Sequence, residues 1–351
     1  MKSLVYRMIV FCLLGLMSLS ALAKNLDSEK KRMIEKSYRV GADHKLDIQN
    51  KFGRVHINTS ATDRIDVSIE IIARGSNDER AQRILDKIDV DIQDSGKLLK
   101  FETKLNGINS KNSETFEINY TVQMPKRNPL KLNNSFGDTY VGDLTGETDI
   151  DVSYGDLKAG SITGRSKLKI SFGDGEIDRF MSGDVEVKYS DVEFDELGDV
   201  RIEDGFSDVS IDKAGNLDIT CKYGEFDLGE LKSATGYVGY SDFKVDRLHN
   251  SIEMETAYSG GFKIDEISKS FKNIDLKGKF GSFKLGFEEG VNATFESRVK
   301  YCNLDYDDLD VELTYKMKGD FNSEYRGKIG NGNGGRIKVE SSYGDVKFLE
   351  R

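Results

Sequence analysis

Two prolines, no tryptophan, three histidines and three cysteines in 351 residues leave little room for several common designs. Scarce proline suits a chain that spends its length in ladders needing every backbone N–H. His44, His56 and His249 are far apart in sequence and belong to no H-x-x-x-H or C-x-x-C arrangement, so neither a histidine-based triad nor a zinc centre is expected. There is no G-x-S-x-G elbow and no phosphate-binding loop. Gly330-Asn331-Gly332-Asn333-Gly334-Gly335 is glycine-rich, but no Lys-Ser/Thr follows it, and it reads as a loop between repeats. Positive charge is also short, with 51 Lys and Arg against 61 Asp and Glu and a net charge of -10, which argues against a nucleic-acid partner.

Long apolar runs are missing after the first residues. Lys2 and Arg7 precede an apolar stretch from Met8 to Met17, and Ser18-Leu19-Ser20-Ala21-Leu22-Ala23 ends in the small-x-small pattern of a signal-peptidase site. The expectation is a signal peptide over 1–23, carrying Cys12 away with it, and an exported chain of net charge -12 with no transmembrane segment. Its destination is the periplasm, the outer surface or the medium. A chain of this length can bury a core without disulfides.

What is present is a repeat. An aromatic, a small residue and usually an acid recur at Phe136-Gly137-Asp138, Tyr154-Gly155-Asp156, Phe172-Gly173-Asp174, Tyr189-Ser190-Asp191, Phe206-Ser207-Asp208, Tyr223-Gly224-Glu225 and Tyr240-Ser241-Asp242. Weaker copies stand at Tyr258, Phe280 and Tyr301, and Tyr343-Gly344-Asp345 closes the series. The spacings are 18, 18, 17, 17, 17, 17, 18, 22 and 21, and the last gap of 42 is read as holding one degenerate copy. A fixed period of this length marks a stack of similar units.

With the aromatic as position zero, apolar residues fall at minus four and minus two (Ile150 and Val152, Leu168 and Ile170, Val185 and Val187, Ile219 and Cys221). They resume at plus three and plus five (Leu157 and Ala159, Val192 and Phe194, Val209 and Ile211, Phe226 and Leu228, Phe243 and Val245) and again at plus eight (Ile162, Phe180, Leu197, Leu231, Leu248). Alternation is the mark of a strand with one buried face, and each break in it marks a corner. The fold class expected is therefore mainly β, a single-chain parallel β-helix or solenoid with coils of about 17–22 residues, its aromatics stacked inside and its winding right-handed. An antiparallel sandwich or barrel is the competing reading, but it would show turn signals every 8–12 residues or so.

Residues 24–129 differ from this pattern and are expected to form an α+β capping segment for the solenoid of 130–351, since an uncovered first coil would expose a strand edge. Within it Lys51-Phe52-Gly53-Arg54 is an early repeat copy. Ser76 is placed to cap a helix over 77–88, and longer strands are expected over 64–72, 97–105 and 115–124, with a polar loop at 106–113.

The run Asn119-Tyr120-Thr121-Val122-Gln123-Met124-Pro125, with Leu130-Lys131-Leu132-Asn133-Asn134-Ser135-Phe136-Gly137-Asp138 and the early Asn50-Lys51-Phe52-Gly53, resembles the auto-transporter-adhesin-like, head-GIN-type β-helical envelope proteins of Bacteroidota. The resemblance implies a cell-envelope or secreted β-helix with an adhesin-like role and no known catalytic residues. It specifies architecture more than function.

Two groups of residues remain to be read. Cys221 sits at an inward position and Cys302 at the small corner position; four coils apart, about 19 Å at the usual strand spacing, they are too distant to bridge. The acids Asp138, Asp156, Asp174, Asp191, Asp208, Glu225 and Asp242 form a column, with a second through Asp178, Asp195, Asp212 and Asp246. Oxygen ladders can bind calcium, but the nonapeptide pattern of calcium-binding solenoids is absent, so the expectation is that these acids satisfy corner N–H groups. No catalytic, cofactor-binding or metal residue is assigned. The function expected is a non-enzymatic envelope or surface scaffold whose partner, a protein or a glycan, is unknown. A β-helical polysaccharide lyase or glycoside hydrolase is the alternative; the carboxylates follow the repeat and single out no pair for it.

Overall fold

A computed structural model describes residues 28–108 and 115–351. The expected signal peptide and most of the polar loop 106–113 lie outside the described residues. The chain is mainly β, the described residues forming 26 strands hydrogen-bonded into one large mixed sheet. No helix among the described residues is long and apolar enough to cross a membrane.

Each repeat supplies one strand segment before its aromatic and another after it. Thr148–Ser153 pairs in parallel with Ser166–Ser171, placing Ile150 opposite Leu168. The next steps set Leu168 against Val185, Val185 against Ile202 and Ile202 against Ile219. A register that advances by one repeat puts like beside like, so the inward rows become columns of mainly apolar side chains. The minus-four, minus-two, plus-three, plus-five and plus-eight residues named above are all buried. Burying one large aliphatic or aromatic side chain contributes about 1.5–3 kcal/mol, and this core repeats it along the whole ladder.

The aromatics themselves are not inside. Phe52, Phe136, Tyr154, Phe172, Tyr189, Phe206, Tyr223, Tyr240, Tyr258, Phe280, Tyr301 and Tyr343 all have φ between 53° and 64°, and each is 37–51% exposed. Strict alternation from minus four and minus two would turn position zero inward. A left-handed backbone there swings the Cβ outward, and the chain turns the corner instead of continuing the strand. The rings that do lie inside follow the corner: Phe226, Phe243 and Phe262, which share one row, stack at 5.9 and 4.8 Å, Phe283 meets Phe262 edge-on, and Phe194 and Phe180 are buried at plus five and plus eight.

Corner glycines have a separate reason to be small. A Cβ on Gly155 would fall inside contact distance of the Gly137 carbonyl oxygen, and one on Gly173 would meet Gly155 in the same way. Successive corners are stacked backbone on backbone.

At the N-terminal end, Lys45–Lys51 and Val55–Ser60 form the Phe52 repeat, which pairs directly with Leu130–Ser135 and Thr139–Val141 although 84 residues separate Phe52 from Phe136. The intervening chain lies outside that repeat. Leu98–Leu105 and Thr115–Pro125 continue its two ladders, Ile88–Asp94 pairs antiparallel with the first, and Arg64–Gly75 with the second. The outermost strand, Ser28–Arg39, carries no repeat signature and was not foreseen. Asn77, not Ser76, caps the helix, its Oδ1 accepting the Arg80 N–H at 2.9 Å. The helix runs Asp78–Leu85, because Ile88 is already committed to its strand.

The C-terminal end reverses an expectation. The 42-residue gap holds no degenerate repeat but an antiparallel hairpin, Val311–Lys318 and Asn322–Ile329. Gly335–Ser342 then returns between Asn273–Lys279 and Ala293–Lys300, and Val346–Glu350 enters between Phe283–Phe287 and Leu304–Asp305. The last repeat in sequence is thus the last but one in space. The glycine-rich segment makes this return, anchored where Asn331 N–H and Gly335 N–H donate to Asn292.

Candidate functional site: an aromatic ribbon with charged flanks

The corners build one continuous surface feature. From Phe52 through Phe136, Tyr154, Phe172, Tyr189, Phe206, Tyr223, Tyr240, Tyr258, Phe280 and Tyr343 to Tyr301, neighbouring rings stack at 4.7–5.1 Å with interplanar angles of 2–13°. Eleven steps give a ribbon about 54 Å long at the strand spacing. Phe116 covers its first ring edge-on and Phe321 lies tilted over its last. Ring faces are therefore occupied by other rings, and what reaches solvent is a row of ring edges. A sugar seeking an open aromatic face finds none along the column.

Half of roughly 200 Å² per aromatic residue, over twelve of them, exposes on the order of 1,200 Å². The largest apolar patch on a typical monomer is about 300–600 Å².

The two flanks differ in charge. At plus two stand the acids from Asp138 to Asp242, with Asp345 near the far end. At minus one stand Lys51, Ser135, Ser153, Ser171, Lys188, Gly205, Lys222, Gly239, Ala257, Lys279, Lys300 and Ser342, with no acid among them. Lys300 lies over the Tyr301 ring, 5.4 Å from its centroid.

Several acids cap the neighbouring repeat. Asp138 Oδ1 accepts the Asp156 N–H at 3.1 Å, Asp156 that of Asp174 at 2.9 Å, Asp208 that of Glu225 at 2.9 Å, and Asp345 that of Asn303 at 2.8 Å. Where serine holds the corner the pattern changes. The Asp208 N–H goes to the Ser190 carbonyl, so Asp191 makes no such cap, and Ser207 Oγ accepts the Ser190 N–H at 3.2 Å. At Glu225 repulsion from Asp227 is the largest influence, with burial and then Asp208 and Asp242 adding to it, and the carboxyl is pushed above its ordinary range. The second acid column, Asp178, Asp195, Asp212 and Asp246, is exposed. Among the described residues no three His, Cys, Asp or Glu side chains converge as metal ligands.

Minus two is the inward row nearest the corner, and three polar residues there serve corner groups. Asn50 and Asn134 donate to the carbonyls of Gly53 and Gly137, and Ser341 hydroxyl donates to that of Gly344. Asp204 occupies this row in continuous register, between Val187 and Cys221, with no bulge. Its Oδ2 accepts the Cys221 thiol at 3.0 Å and its Oδ1 has no partner. Burial pushes the Asp204 carboxyl up to about 6 and, with the Asp204 hydrogen bond, raises the Cys221 thiol as well. Both Cys221 and Cys302 are free. The altered order of the last repeats puts five steps between them rather than four, about 24 Å.

Two grooves border the ribbon. One of about 610 Å³ follows the acid flank past Asp138, Asp156, Asp174 and Asp191. Another, of about 630 Å³, lies on the opposite flank beneath the hairpin, with Tyr237, Val299 and Met317 among its walls. Arg298 in that groove faces Glu340 at 3.3 Å and Glu324 at 3.8 Å, and Lys277 faces Glu255 at 3.4 Å. Lys338 holds the Glu340 carboxyl below the usual range. The sequence reading missed this hairpin, although Val311, Leu313, Tyr315 and Met317 alternate as a strand does.

No protein-family model matches the chain, and no curated protein matches it. Solved structures give loose likenesses. A "putative adhesin" from Parabacteroides merdae is 11% identical over 72% of this chain and 95% of its own, with a TM-score of 0.33. Another from Parabacteroides distasonis is 10% identical over 91% and 97%, with a TM-score of 0.32. A "putative cell adhesion protein" from Clostridium sporogenes is 11% identical over 93% and 100%, with a TM-score of 0.19. Likenesses this loose decide neither ligand nor activity.

Proposed function

We propose that the chain is a non-enzymatic, exported envelope or surface protein of the adhesin type. Its parallel repeats wind as a right-handed β-solenoid, residues 24–129 cap one end, and binding takes place along the aromatic ribbon. The observation that carries this reading is the uninterrupted row of twelve half-exposed rings, an apolar surface larger than a solitary soluble protein ordinarily leaves in water. A hydrolase would need paired carboxyls, one able to give up a proton near neutral pH, and a lyase a Lys or Arg base in its groove. Glu340 in the larger groove is shifted the wrong way for that role. Asp151, raised chiefly by burial in a groove with Lys169 and Glu186, is the residue on which the enzymatic alternative would rest.

The test is adhesion of beads coated with the protein to bacterial outer-membrane vesicles and to peptidoglycan sacculi. Replacing Phe206, Tyr223 and Tyr240 together by Ser, with folding checked by circular dichroism, should abolish any adhesion of the wild type. Undiminished adhesion by the variant would remove the ribbon from the function. Release of oligosaccharides from a polysaccharide panel, lost in Asp151→Asn, would replace the scaffold reading with the enzymatic one.

A further inference from the structure

We infer that the ribbon is a self-association surface, on which two copies pack side by side and parallel about a two-fold axis running along the stacked rings. The inference rests on the reading of the ribbon as a binding surface and names its partner as a second copy of this chain.

Area permits it. Covering two thirds of the exposed ribbon would bury roughly 800 Å² on each copy, the contribution each partner makes to a standard stable interface. The occupied ring faces favour it as well, because a row of edges can meet another row of edges along its whole length.

Charge fixes the direction. If two ribbons face one another about an axis parallel to the stack, the acid flank of one copy lies over the minus-one flank of the other. In register, Asp191 then meets the partner's Lys188 and Glu225 meets the partner's Lys222, each contact occurring twice, and every other column acid meets Ser or Gly. The alternative, an axis across the ribbon, makes the copies antiparallel and sets acid flank on acid flank. Following the stacking order, Asp138 would oppose Asp345, Asp191 would oppose Asp242, and Asp208 would oppose Glu225. Like charges set across an interface select against that arrangement.

Sedimentation equilibrium of the purified protein should show a monomer–dimer equilibrium. Lys188→Glu with Lys222→Glu should weaken it at least tenfold, and adding Asp191→Lys with Glu225→Lys should restore it, because the swap recreates opposite charges. These positions are exposed, so the fold should survive. In a Cys302→Ser background, Tyr154→Cys and Phe280→Cys should each cross-link to their own kind on oxidation. Cross-linking only in a mixture of the two would refute the parallel arrangement, since those positions oppose each other when the copies run antiparallel. A monomer at all concentrations up to about 100 μM overturns self-association. If that monomer still binds outer-membrane or phosphatidylcholine vesicles and loses them on ring replacement, the ribbon remains a binding surface and only the second copy is excluded.

Discussion

Phe206 offers the sharpest check on the corner geometry. Its ring lies between Tyr189 at 5.1 Å and Tyr223 at 4.7 Å, it is 51% exposed, and its φ is 58°. About 100 Å² of apolar surface is therefore covered, worth about 2.5 kcal/mol at 25 cal/mol per Å². Ring pairing adds about 0.5–1.5 kcal/mol. Phe206→Ala loses most of this while keeping the left-handed backbone, whose cost of about 1–2 kcal/mol alanine bears as phenylalanine does. The expected loss is about 2–4 kcal/mol. Phe206→Gly loses the same ring but relieves the backbone, offset by about 0.5–1 kcal/mol of extra chain entropy. Glycine should therefore be better tolerated than alanine by about 0.5–1 kcal/mol. The order reverses at Ile202, buried in extended strand in the same repeat, where Gly should be worse than Ala. Urea unfolding followed by far-ultraviolet circular dichroism would measure all four variants. If glycine proved worse than alanine at both positions, the ring would not be held on a left-handed corner, and the account of why it faces outward would fail.

Other outcomes follow from the same geometry. Because the Asp204 carboxyl titrates at about 6 when folded and near its ordinary 3.8 when unfolded, the folded state alone keeps the proton between those values. Stability should fall as pH rises from about 4 to 6, by about 2–3 kcal/mol from this group, and comparing Asp204→Asn with wild type by urea midpoints across that window should isolate the slope. Gly155→Ala should destabilise far more than Gly96→Ala despite the positive φ of Gly96, because the first Cβ meets the Gly137 carbonyl and the second meets open space; thermal melting distinguishes them. Asp208→Ala should cost about 1 kcal/mol through loss of its cap on the Glu225 N–H, whereas Asp191→Ala should fall within about 0.5 kcal/mol of wild type. Equal melting temperatures for those two would show that the inter-repeat caps contribute nothing.

The repeat, its period and its inward rows could be read from residues alone, because apolar alternation is imposed locally: Leu168, Val185, Ile202 and Ile219 are apolar for the same reason in each unit and then find one another by register. The corner could be located as well, from the break between minus two and plus three. The direction of the aromatic could not. It depends on the sign of one backbone angle, and Phe206 or Tyr223 shows no side-chain signature of φ > 0, the region for which glycine is the usual mark. The order of the last repeats was equally hidden. Parallel pairing depends on which edges are free when the chain returns, so Gly335–Ser342 could enter between two earlier strands without any change in its own alternation. The candidate surface shares this division. Sequence supplied the aromatic column and its acidic flank, while tertiary structure turned the rings outward, stacked them face to face and left their edges in water. The physical reason is that burial pattern is written in each strand separately, whereas which side of a corner faces solvent, and which strand lies beside which, is settled only when hydrogen-bonding edges from distant parts of the chain meet.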